Sequence, residues 1–383
     1  MAKYERVIVV GGGVGGMTVA LALHRAGIPV EVHERHDSFQ HHATGFTIWS
    51  HAVASLLKLG VSLGSAGQPI EQTEIRNQAG ELICQMPVGK ISRSLGADSY
   101  EMQRDAMLKA IAAELPDGTL HWDSECVGIE EVSGQACVRM ADGSQHQADL
   151  VIGADGIHSV TRETVAGKVA LRPSGYCGAA AVIQFSHPDC PPHTHIDVWG
   201  HGGKAGIADI GQGQLRWYTT WKVPRKQRGP QAGRRSKAEL LAHLENWYGP
   251  IGDIVRATPE SQIRQNIPSD IPPITRWFRG RVVLLGDAAH ATTPFAAMGA
   301  NMAIEDAGEL ADLIVGCDHV EQALEQFQSL RKKRTEGIVK HGRFMARMTQ
   351  LHSPLAAWLR DQAFLHMPAE EIDKVTKEMA SGS

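Results

Sequence analysis

The sequence predicts an α/β fold in which a parallel βαβ-type sheet is interleaved with antiparallel strands, with helices towards the C-terminal end. Three observations predict it. Val7–Val10 is an apolar run typical of a strand buried on both faces. A glycine-rich turn and a helical pattern follow this run. Residues 176–223 alternate and are rich in Val, Ile, Trp, Tyr and Thr, which favours several strands of a second sheet.

Composition limits the classes of protein that the chain can represent. It has 383 residues, a formal net charge of −4 and 43% hydrophobic residues, so it can bury a core and is poorly suited to coat nucleic acid. Six cysteines show no paired spacing, which predicts no metal site and no disulfide framework and favours a reducing, cytoplasmic compartment. We find no signal-peptide pattern and no apolar run near the roughly 18 residues of a membrane span.

The elements follow in order from the N-terminal strand. A helix is predicted over 17–26 and a second strand over 30–34, and such a short crossover gives parallel strands. Residues 73–84 read as an antiparallel hairpin around a central glycine turn. Helical periodicity returns over 104–115, and a further buried-strand run occupies 281–285.

Strands of the βαβ type therefore occur at both ends of the chain, with antiparallel strands between them. This order predicts two interleaved domains rather than two sequential ones. The predicted boundaries are 1–72, 98–172 and 281–345 for the first domain, 73–97 and 173–280 for the second, and 346–383 for a C-terminal helical segment.

The glycine-rich turn predicts a phosphate-binding loop. Gly11, Gly13 and Gly16 form G-x-G-x-x-G, in which the glycines permit a tight turn, close approach of a pyrophosphate and close packing of the helix. Unpaired N–H groups at the start of the helix, which Val14 opens, favour the anion. Glu34 ends the second strand, where a carboxylate accepts hydrogen bonds from ribose hydroxyls. These features predict a dinucleotide site without separating FAD from NAD.

Two further segments resemble motifs of one family. Residues 149–162 resemble the DG motif of flavoprotein aromatic hydroxylases. Residues 286–290 followed by Pro294 resemble their GD motif, and residues 300–307 match its helical continuation. The motifs occur in order, and the resemblance covers roughly residues 5–345. The chain thus resembles the single-component (class A) FAD-dependent monooxygenases of the p-hydroxybenzoate hydroxylase type.

The resemblance implies a Rossmann-type FAD-binding domain interleaved with a substrate domain. It implies that Asp287 binds a ribityl hydroxyl and that Arg104 contacts the ribose or pyrophosphate of FAD. It also implies that backbone N–H groups of Gly299, Ala300 and Asn301 bind the flavin pyrimidine edge, where they stabilise negative charge on the reduced ring. Further cofactor contacts are implied at Arg35, Gly45, Cys126, Asp155 and Pro294.

The sequence departs from the family pattern at one place. Where the family usually carries Gly-Gln before Gly299, this chain has Ala297-Met298. Added bulk and a lost amide beside the flavin ring are expected to alter substrate access or flavin movement. The backbone contacts to the flavin do not need these side chains, so the cofactor prediction stands.

The resemblance also implies a reaction. NADH or NADPH would reduce FAD, O2 would add at flavin C4a, and the resulting hydroperoxide would transfer an OH to an aromatic or heteroaromatic substrate. The chain carries a single G-x-G-x-x-G, which agrees with a family in which the nicotinamide nucleotide binds transiently without a fold of its own. No metal is required.

The substrate side is predicted in less detail. Thr47 corresponds to a position where some relatives hold a substrate-side histidine, and Tyr218 is a candidate to assist deprotonation of a phenol. Residues 217–221 alternate, so one set of their side chains should face the pocket and the other the core or the exterior. The candidate walls of the substrate pocket are Trp199, Phe295 and Met298.

Three alternatives stay open at this point. A flavin-dependent halogenase would use the same scaffold, although its W-x-W-x-I-P signature is absent, and so would an isoprenoid reductase. A non-catalytic FAD-fold binding protein is the third, and it has no need to keep the flavin-edge motif around Gly299. The sequence leaves open NADH or NADPH, and monomer or homodimer.

Overall fold

The computed structural model describes residues 4–39, 45–132, 134–224, 226–227, 229 and 231–382. Residues 1–3 and 40–44, which the sequence assigns to the first domain, lie outside the described residues. In chain order the strands are β1 (Val7–Val10), β2 (Val30–His33), β3 (Gly45–Ile48), β4 (Gly67–Pro69), β5 (Gln72–Asn77), β6 (Leu82–Met86), β7 (Tyr100–Gln103), β8 (Leu120–His121), β9 (Cys126–Val132), β10 (Gln135–Met140), β11 (Gln145–Ala148), β12 (Leu150–Gly153), β13 (Arg172–Pro173), β14 (Tyr176–Gln184), β15 (Thr194–Trp199), β16 (Gly203–Asp209), β17 (Gln214–Lys222), β18 (Arg264–Asn266), β19 (Ser269–Asp270), β20 (Phe278–Arg279) and β21 (Val282–Leu284). The helices are α1 (Val14–Arg25), α2 (Ser50–Lys58), α3 (Val88–Ser94), α4 (Arg104–Ala112), α5 (Val160–Ala166), α6 (Lys237–His243), α7 (Gly249–Ala257), α8 (Asp287–His290), α9 (Gly299–Gly316), α10 (Val320–Met348), α11 (Pro354–Leu365) and α12 (Ala369–Ser381).

A six-stranded sheet in the order β20-β21-β12-β1-β2-β8 forms the nucleotide-binding half. β1 pairs in parallel with both β12 and β2, β12 pairs in parallel with β21, and β20 runs antiparallel at the edge. The apolar runs of β1, β12 and β21 are buried along their whole length because helices and loops cover both faces. The predicted βαβ unit is confirmed, with α1 as its crossover helix.

A seven-stranded sheet in the order β18-β14-β17-β16-β15-β5-β6 forms the other half. The β5–β6 hairpin joins strands that lie more than 90 residues further along the chain, and β15 pairs with β5 in parallel. One face of this sheet packs on α6 and α7 through Trp217 and Trp221. The opposite face carries Arg216, which binds Glu101 on β7, and Tyr218, which binds Asp197 on β15 of the same sheet. Of the two alternating sets of side chains on β17, the set that contains Tyr218 therefore lies on the face away from α6 and α7, which we call the inner face.

The remaining elements connect the two large sheets. A three-stranded sheet, β3-β7-β4, lies between them, and Thr47 on β3 faces Glu101 on β7 in register. α10 runs on to Met348, so it crosses the boundary expected at 345/346, and α11 and α12 then pack against β6 and α3. Within the part of the chain that the structure describes, no helix combines the length and the apolar character needed to cross a bilayer.

Candidate active site

The glycine-rich loop between β1 and α1 has the geometry of a phosphate cradle. Gly11 has φ +105°, and a Cβ there would lie 2.5 Å from the carbonyl oxygen of Ala154. A Cβ on Gly16 would overlap the carbonyl oxygen of Gly11, so this glycine lets α1 start against the end of the strand. A Cβ on Gly13 would meet only the Arg104 guanidinium, 3.4 Å away. The loop therefore presents an open backbone face with a cation beside it.

Glu34 lies next to this loop, at the end of β2. Its carboxylate accepts hydrogen bonds from the backbone N–H of Gly12, at 2.7 Å, and from that of His36, at 3.0 Å. A carboxylate has about four lone-pair sites, so acceptor capacity remains for ribose hydroxyls. Arg35 beside it is exposed. The backbone of Glu34 pairs with Ser124, which brings the start of β9 to the same side of the sheet.

Cys126 and Asp155 play structural parts at the rim of this groove. Burial raises the pKa of the Cys126 thiol to about 11, so it stays protonated and is not a reactive thiolate. The Asp155 carboxylate accepts hydrogen bonds from the Ser159 hydroxyl and from the backbone N–H and the hydroxyl of Thr161. These bonds satisfy donors at the start of α5. The carboxylate of Asp155 is therefore occupied, and the backbone of this residue forms the wall against Gly11.

Arg104 and Asp287 provide the test of whether the groove suits FAD. Among the described residues, neither side chain has a hydrogen-bond partner; Arg104 is half-buried and Asp287 is exposed to the groove. Burial lowers the pKa of Arg104, against the raising effect of Asp287 and Glu34. Burial likewise raises the pKa of Asp287, against the positive charges of neighbours that include Arg104. An unpaired cation beside an open glycine loop, with a free acceptor near it, fits a pyrophosphate and a polyol chain.

The N-terminus of α9 holds the backbone groups that the sequence predicts for the flavin edge. Gly299, Ala300 and Asn301 open this 18-residue helix, which has no acidic residue in its first turn and no side-chain cap. Their N–H groups are left for a ligand. The Asn301 side chain donates a hydrogen bond to the carbonyl of Thr47 at 3.1 Å and accepts one from the backbone N–H of Trp49 at 2.8 Å. It thereby fastens β3 to the start of α9.

The loop before α9 carries two of the predicted pocket residues, Phe295 and Met298. Pro294 is exposed, and the Phe295 ring packs edge-on against Tyr176, with ring centroids 5.7 Å apart. Ala297 adopts the left-handed region, with φ +51°, at the position where the family usually has glycine. Met298 is buried in an apolar cluster that also contains Trp199.

Trp199 and Gly45 connect to the site through their neighbours. The Trp199 ring packs edge-on against Phe364 of α11, and its indole N–H donates to Asp197 at 2.8 Å. A role as a pocket wall stays a prediction, since its described contacts are with the C-terminal segment and Asp197. A Cβ on Gly45 would lie 2.5 Å from Arg216, so this glycine admits the arginine side chain to the small sheet.

Six polar side chains meet on the inner face of the seven-stranded sheet. Arg216 binds Glu101 with N–O distances of 2.6 and 2.9 Å, and His195 Nδ1 lies 2.7 Å from the same carboxylate. His195 Nε2 lies 3.1 Å from the Tyr218 hydroxyl. That hydroxyl donates to Asp197 at 2.8 Å, and Lys204 pairs with Asp197 at 2.8 Å. We call this set the polar cluster: Glu101, His195, Asp197, Lys204, Arg216 and Tyr218.

The chain resembles known flavoproteins over its length. It matches the FAD binding domain family over residues 4–341. The aurachin C monooxygenase/isomerase of Stigmatella aurantiaca is 32% identical over 97% of this chain and 96% of that protein. The 2-heptyl-3-hydroxy-4(1H)-quinolone synthase of Pseudomonas aeruginosa is 31% identical over 98% of each chain. The chain belongs to the FAD-dependent aromatic monooxygenase family.

Solved structures agree with this membership at the level of the fold. The crystal structure of Klebsiella pneumoniae HpxO complexed with FAD and uric acid superposes on this monooxygenase with a TM-score of 0.89, at 23% identity, covering 98% of this chain and 96% of that one. The match to the FAD binding domain family makes FAD the cofactor of this monooxygenase, and the open glycine loop, Arg104, Asp287 and the start of α9 are the groups that suit it.

Electrostatics hold the two carboxylates of the polar cluster in their charged form. Burial alone would raise the pKa of Glu101, but Arg216 and His195 outweigh it and keep this pKa well below its usual range. For Asp197 burial is likewise outweighed, by Lys204 and His195, so its pKa is lowered. Burial, then the Asp197 carboxylate, raises the pKa of Tyr218 well above its usual value. Tyr218 is therefore a neutral phenol at neutral pH, between the Asp197 carboxylate and the His195 ring.

Sequence reasoning named Tyr218 of the polar cluster and Thr47 beside it, but missed the cluster's other five members. The Thr47 hydroxyl donates to Glu101 at 2.6 Å and lies 3.3 Å from Arg216, so its side chain serves this ion pair. A weak signal was present in β15, where His195 and Asp197 stand two residues apart and so share one face of a strand. The matching carboxylate at Glu101 is 94 residues away from His195 and gave no local signal.

One group of possible metal ligands lies elsewhere in the monooxygenase. Among the described residues, Glu31, His33 and His121 place donor atoms within 4.8 Å of one another on the parallel sheet. Arg6 binds the Glu31 carboxylate at 2.7 Å, so a guanidinium already neutralises this acid. The expectation that no metal is used is not tested by this group and stays a prediction.

Proposed function

We propose that this monooxygenase uses NADH or NADPH and O2 to hydroxylate a planar aromatic or heteroaromatic molecule held between the start of α9 and the polar cluster. One chain of contacts supports this position. Asn301, at the start of α9, binds the backbone of Thr47, and the side chain of Thr47 binds Glu101 in the polar cluster. Three hydrogen-bonded residues therefore join the flavin-edge helix to the ionised face of the substrate-side sheet.

The proposal assigns the two large sheets to two domains. The parallel sheet with its helices forms the FAD-binding domain, from 1–72, 98–172 and 281–345. The seven-stranded sheet forms the substrate domain, from 73–97 and 173–280, with 346–383 as a helical segment that covers it. Support comes from the sheet order, because β5 and β6 join β14–β18 in one sheet. We place the enzyme in the cytoplasm as a monomer or homodimer.

The FAD-side residues bind and orient the cofactor. Arg104 and the N–H groups of the glycine loop meet the pyrophosphate, Glu34 meets the adenosine ribose, and Asp287 meets a ribityl hydroxyl. Bound FAD supplies the oxygen-activating chemistry. The uncapped N–H groups at the start of α9 stabilise negative charge at the pyrimidine edge, because they are already oriented towards it.

Tyr218 orients the substrate by accepting a hydrogen bond. Its proton is donated to Asp197 and His195 Nε2 lies 3.1 Å from its oxygen, so one lone pair remains to accept from a hydroxyl or ring N–H of the substrate. A hydrogen bond accepted from such a group leaves more electron density on the ring, which favours attack by an electrophilic oxygen. Thr47 is a positioning residue in this proposal, since its hydroxyl is engaged by Glu101.

The substrate class that suits this site carries a polar edge on a flat ring. A relative that shares 31% identity over 98% of both chains is named as a quinolone synthase, and a quinolone has a ring N–H and a carbonyl on one planar frame. The cluster offers a neutral phenol, two cations and a histidine to such an edge. We propose quinolones as the first substrates to test, followed by hydroxypyridines and phenols.

The proposal is tested with the purified FAD holoenzyme. Each member of a panel of quinolones, hydroxypyridines and phenols is incubated with NADH or NADPH under isotopically labelled O2, and the products are analysed by mass spectrometry. We expect one substrate class to stimulate nucleotide oxidation and to gain one labelled oxygen atom. Tyr218→Phe should keep its flavin and form less product. Products without labelled oxygen across the panel would contradict the proposal.

A further inference from the structure

A small cavity lies outside the polar cluster, between the substrate domain and α10. Its volume is about 40 Å³, which is room for two or three water molecules or one tetrahedral oxyanion. It is bounded by the start of β14, by the residue before the 3-10 helix Pro294–Ala296, and by the C-terminal half of α10. Its lining residues are Ser174, Tyr176, Thr293, Arg343, Ala346 and Arg347.

The charges around this cavity are predominantly positive. Arg343 and Arg172 both bind the buried carboxylate of Asp270, with contacts of 2.7 and 2.8 Å. Arg347 adds a third guanidinium, and within the described residues it has no ion-pair partner. Arg343 and Arg172 therefore share one carboxylate, the exposed Arg347 side chain adds a further cation, and the cavity lies in the field of this excess positive charge.

Within the described part of the chain, the Thr293 hydroxyl is a donor without an acceptor, whereas the Ser174 hydroxyl donates to the Tyr176 carbonyl at 3.3 Å. Thr293 is 1% exposed, and its hydroxyl has no hydrogen-bond partner among the described residues. A buried donor left in this state costs free energy unless a bound group accepts from it. Burial raises the pKa of Tyr176 against the lowering effect of Arg347, so its hydroxyl also keeps its proton. A site built of hydroxyl and guanidinium donors matches an oxyanion.

The cavity adjoins the loop that leads to the flavin edge. Thr293 directly precedes Pro294, and the Tyr176 ring packs against Phe295 on that loop. The enzyme needs a pyridine nucleotide, yet its one G-x-G-x-x-G loop is used by FAD. We propose that this cavity is an oxyanion subsite that takes a phosphate group of NADH or NADPH. The choice of this ligand rests on the proposed function, whereas the oxyanion chemistry rests on the cavity alone.

Binding of the anion is tested first with inorganic phosphate and the FAD holoenzyme. The thermal midpoint is followed against phosphate concentration at constant ionic strength, in the wild type and in Arg347→Gln and Thr293→Val. We expect phosphate to stabilise the wild type, with an apparent Kd at least tenfold weaker in both variants. Arg256→Gln, which alters an exposed arginine on α7, is the matched control and should keep the wild-type Kd. Equal phosphate binding in Arg347→Gln and the wild type would overturn the subsite.

The source of the oxyanion is tested by anaerobic flavin reduction. With NADH and NADPH in separate series, Arg347→Gln should raise the nucleotide Kd at least tenfold and leave the limiting reduction rate and the Kd of the aromatic substrate unchanged. A rise confined to the aromatic substrate would overturn the assignment to the nucleotide. Both readouts are independent of oxygen transfer, so a failure to find a hydroxylated product would contradict the proposed function and leave these measurements intact.

Discussion

Arg216 on β17 and Glu101 on β7 form a bidentate ion pair that joins the substrate-side sheet to the small central sheet. The Glu101 carboxylate is 2% exposed and the Arg216 side chain 12% exposed. Such a pair contributes little net stability compared with an apolar pair, but removal of one partner leaves an uncompensated charge. Because His195 and Thr47 bind the same carboxylate, the pair also determines where these two side chains stand.

Breaking this pair from one side should be costly. We expect Arg216→Gln to lower the free energy of unfolding by about 3–5 kcal/mol, because the buried Glu101 anion would lose its bidentate cation and keep only His195 and Thr47 as partners. The double variant with Glu101→Gln should recover part of this loss, since neither charge remains. Urea denaturation of the wild type, the two single variants and the double variant at neutral pH measures these free energies. Additive effects of the two substitutions would show that the residues do not interact, and Arg256→Gln, in an exposed pair, should change little.

Gly206 on β16 faces Tyr218 across the strand pair, and a Cβ there would overlap the tyrosine ring and hydroxyl. We therefore expect Gly206→Ala to displace the Tyr218 hydroxyl from Asp197 and to lower kcat by about tenfold or more, since positioning errors of this size are costly in catalysis. FAD content should not change. Gly252→Ala on α7 is the matched control, because an added Cβ there would have no neighbouring atom within 4 Å. Steady-state kinetics measure kcat for both variants. An unchanged kcat in Gly206→Ala would show that the reaction does not depend on the position of Tyr218.

The acid sensitivity of the fold should depend on His33. Burial, then the neighbouring His121 and His146, lowers the pKa of His33 to about 4. Its value in an unfolded chain is about 6.5, so below that pH the unfolded state binds a proton that the folded state does not. Stability is fully present above pH 6.5 and falls towards pH 4, by at most about 1.4 kcal/mol per pH unit from this residue.

We expect His33→Asn to lose about 1–2 kcal/mol less stability than the wild type between pH 6.5 and pH 5, because the substitution removes the titrating group. Chemical denaturation at both pH values measures this difference, which does not depend on the absolute stability of the variant. Identical losses in the two proteins would mean that His33 titrates normally in the folded state.

The FAD groove is probed most simply at Asp287. Asp287→Ala should weaken FAD binding about 10- to 100-fold, the equivalent of one hydrogen bond to a charged group. Asp287→Asn keeps an acceptor oxygen and should lose less. The ratio of flavin to protein after gel filtration, followed by titration with FAD, reports both values. Full flavin retention in Asp287→Ala would place the ribityl chain away from this residue.

The parts of the site that the sequence predicted are those encoded by short segments. The phosphate loop lies between adjacent elements, and its glycines have a single geometric explanation, as the contacts of Gly11 and Gly16 show. Asp287 follows a buried strand and Gly299 opens a helix, so the structural position of each residue could be predicted from its neighbours in the chain. Local order was sufficient for these predictions because the predicted cofactor contacts use backbone groups and strand ends.

The polar cluster was not predictable in the same way. Glu101, His195 and Arg216 come from three strands, and only the pairing of β15, β16 and β17 and their packing on β7 bring them together. The alternation along β17 did not show which set of side chains faces the pocket. The helices α6 and α7 determine this, because they bury Trp217 and Trp221 on one face and leave Tyr218 on the other. A charged residue on a strand gives the same local pattern on a solvated face as on an enclosed one.

A crystal structure of the FAD holoenzyme with a bound quinolone tests the account most directly. The pyrimidine edge of the isoalloxazine should lie within hydrogen-bond distance of the N–H groups of Gly299, Ala300 or Asn301, and a polar atom of the quinolone about 3 Å from the Tyr218 hydroxyl. A flavin ring bound away from the start of α9, or a ligand seated away from the inner face of β17, would contradict it.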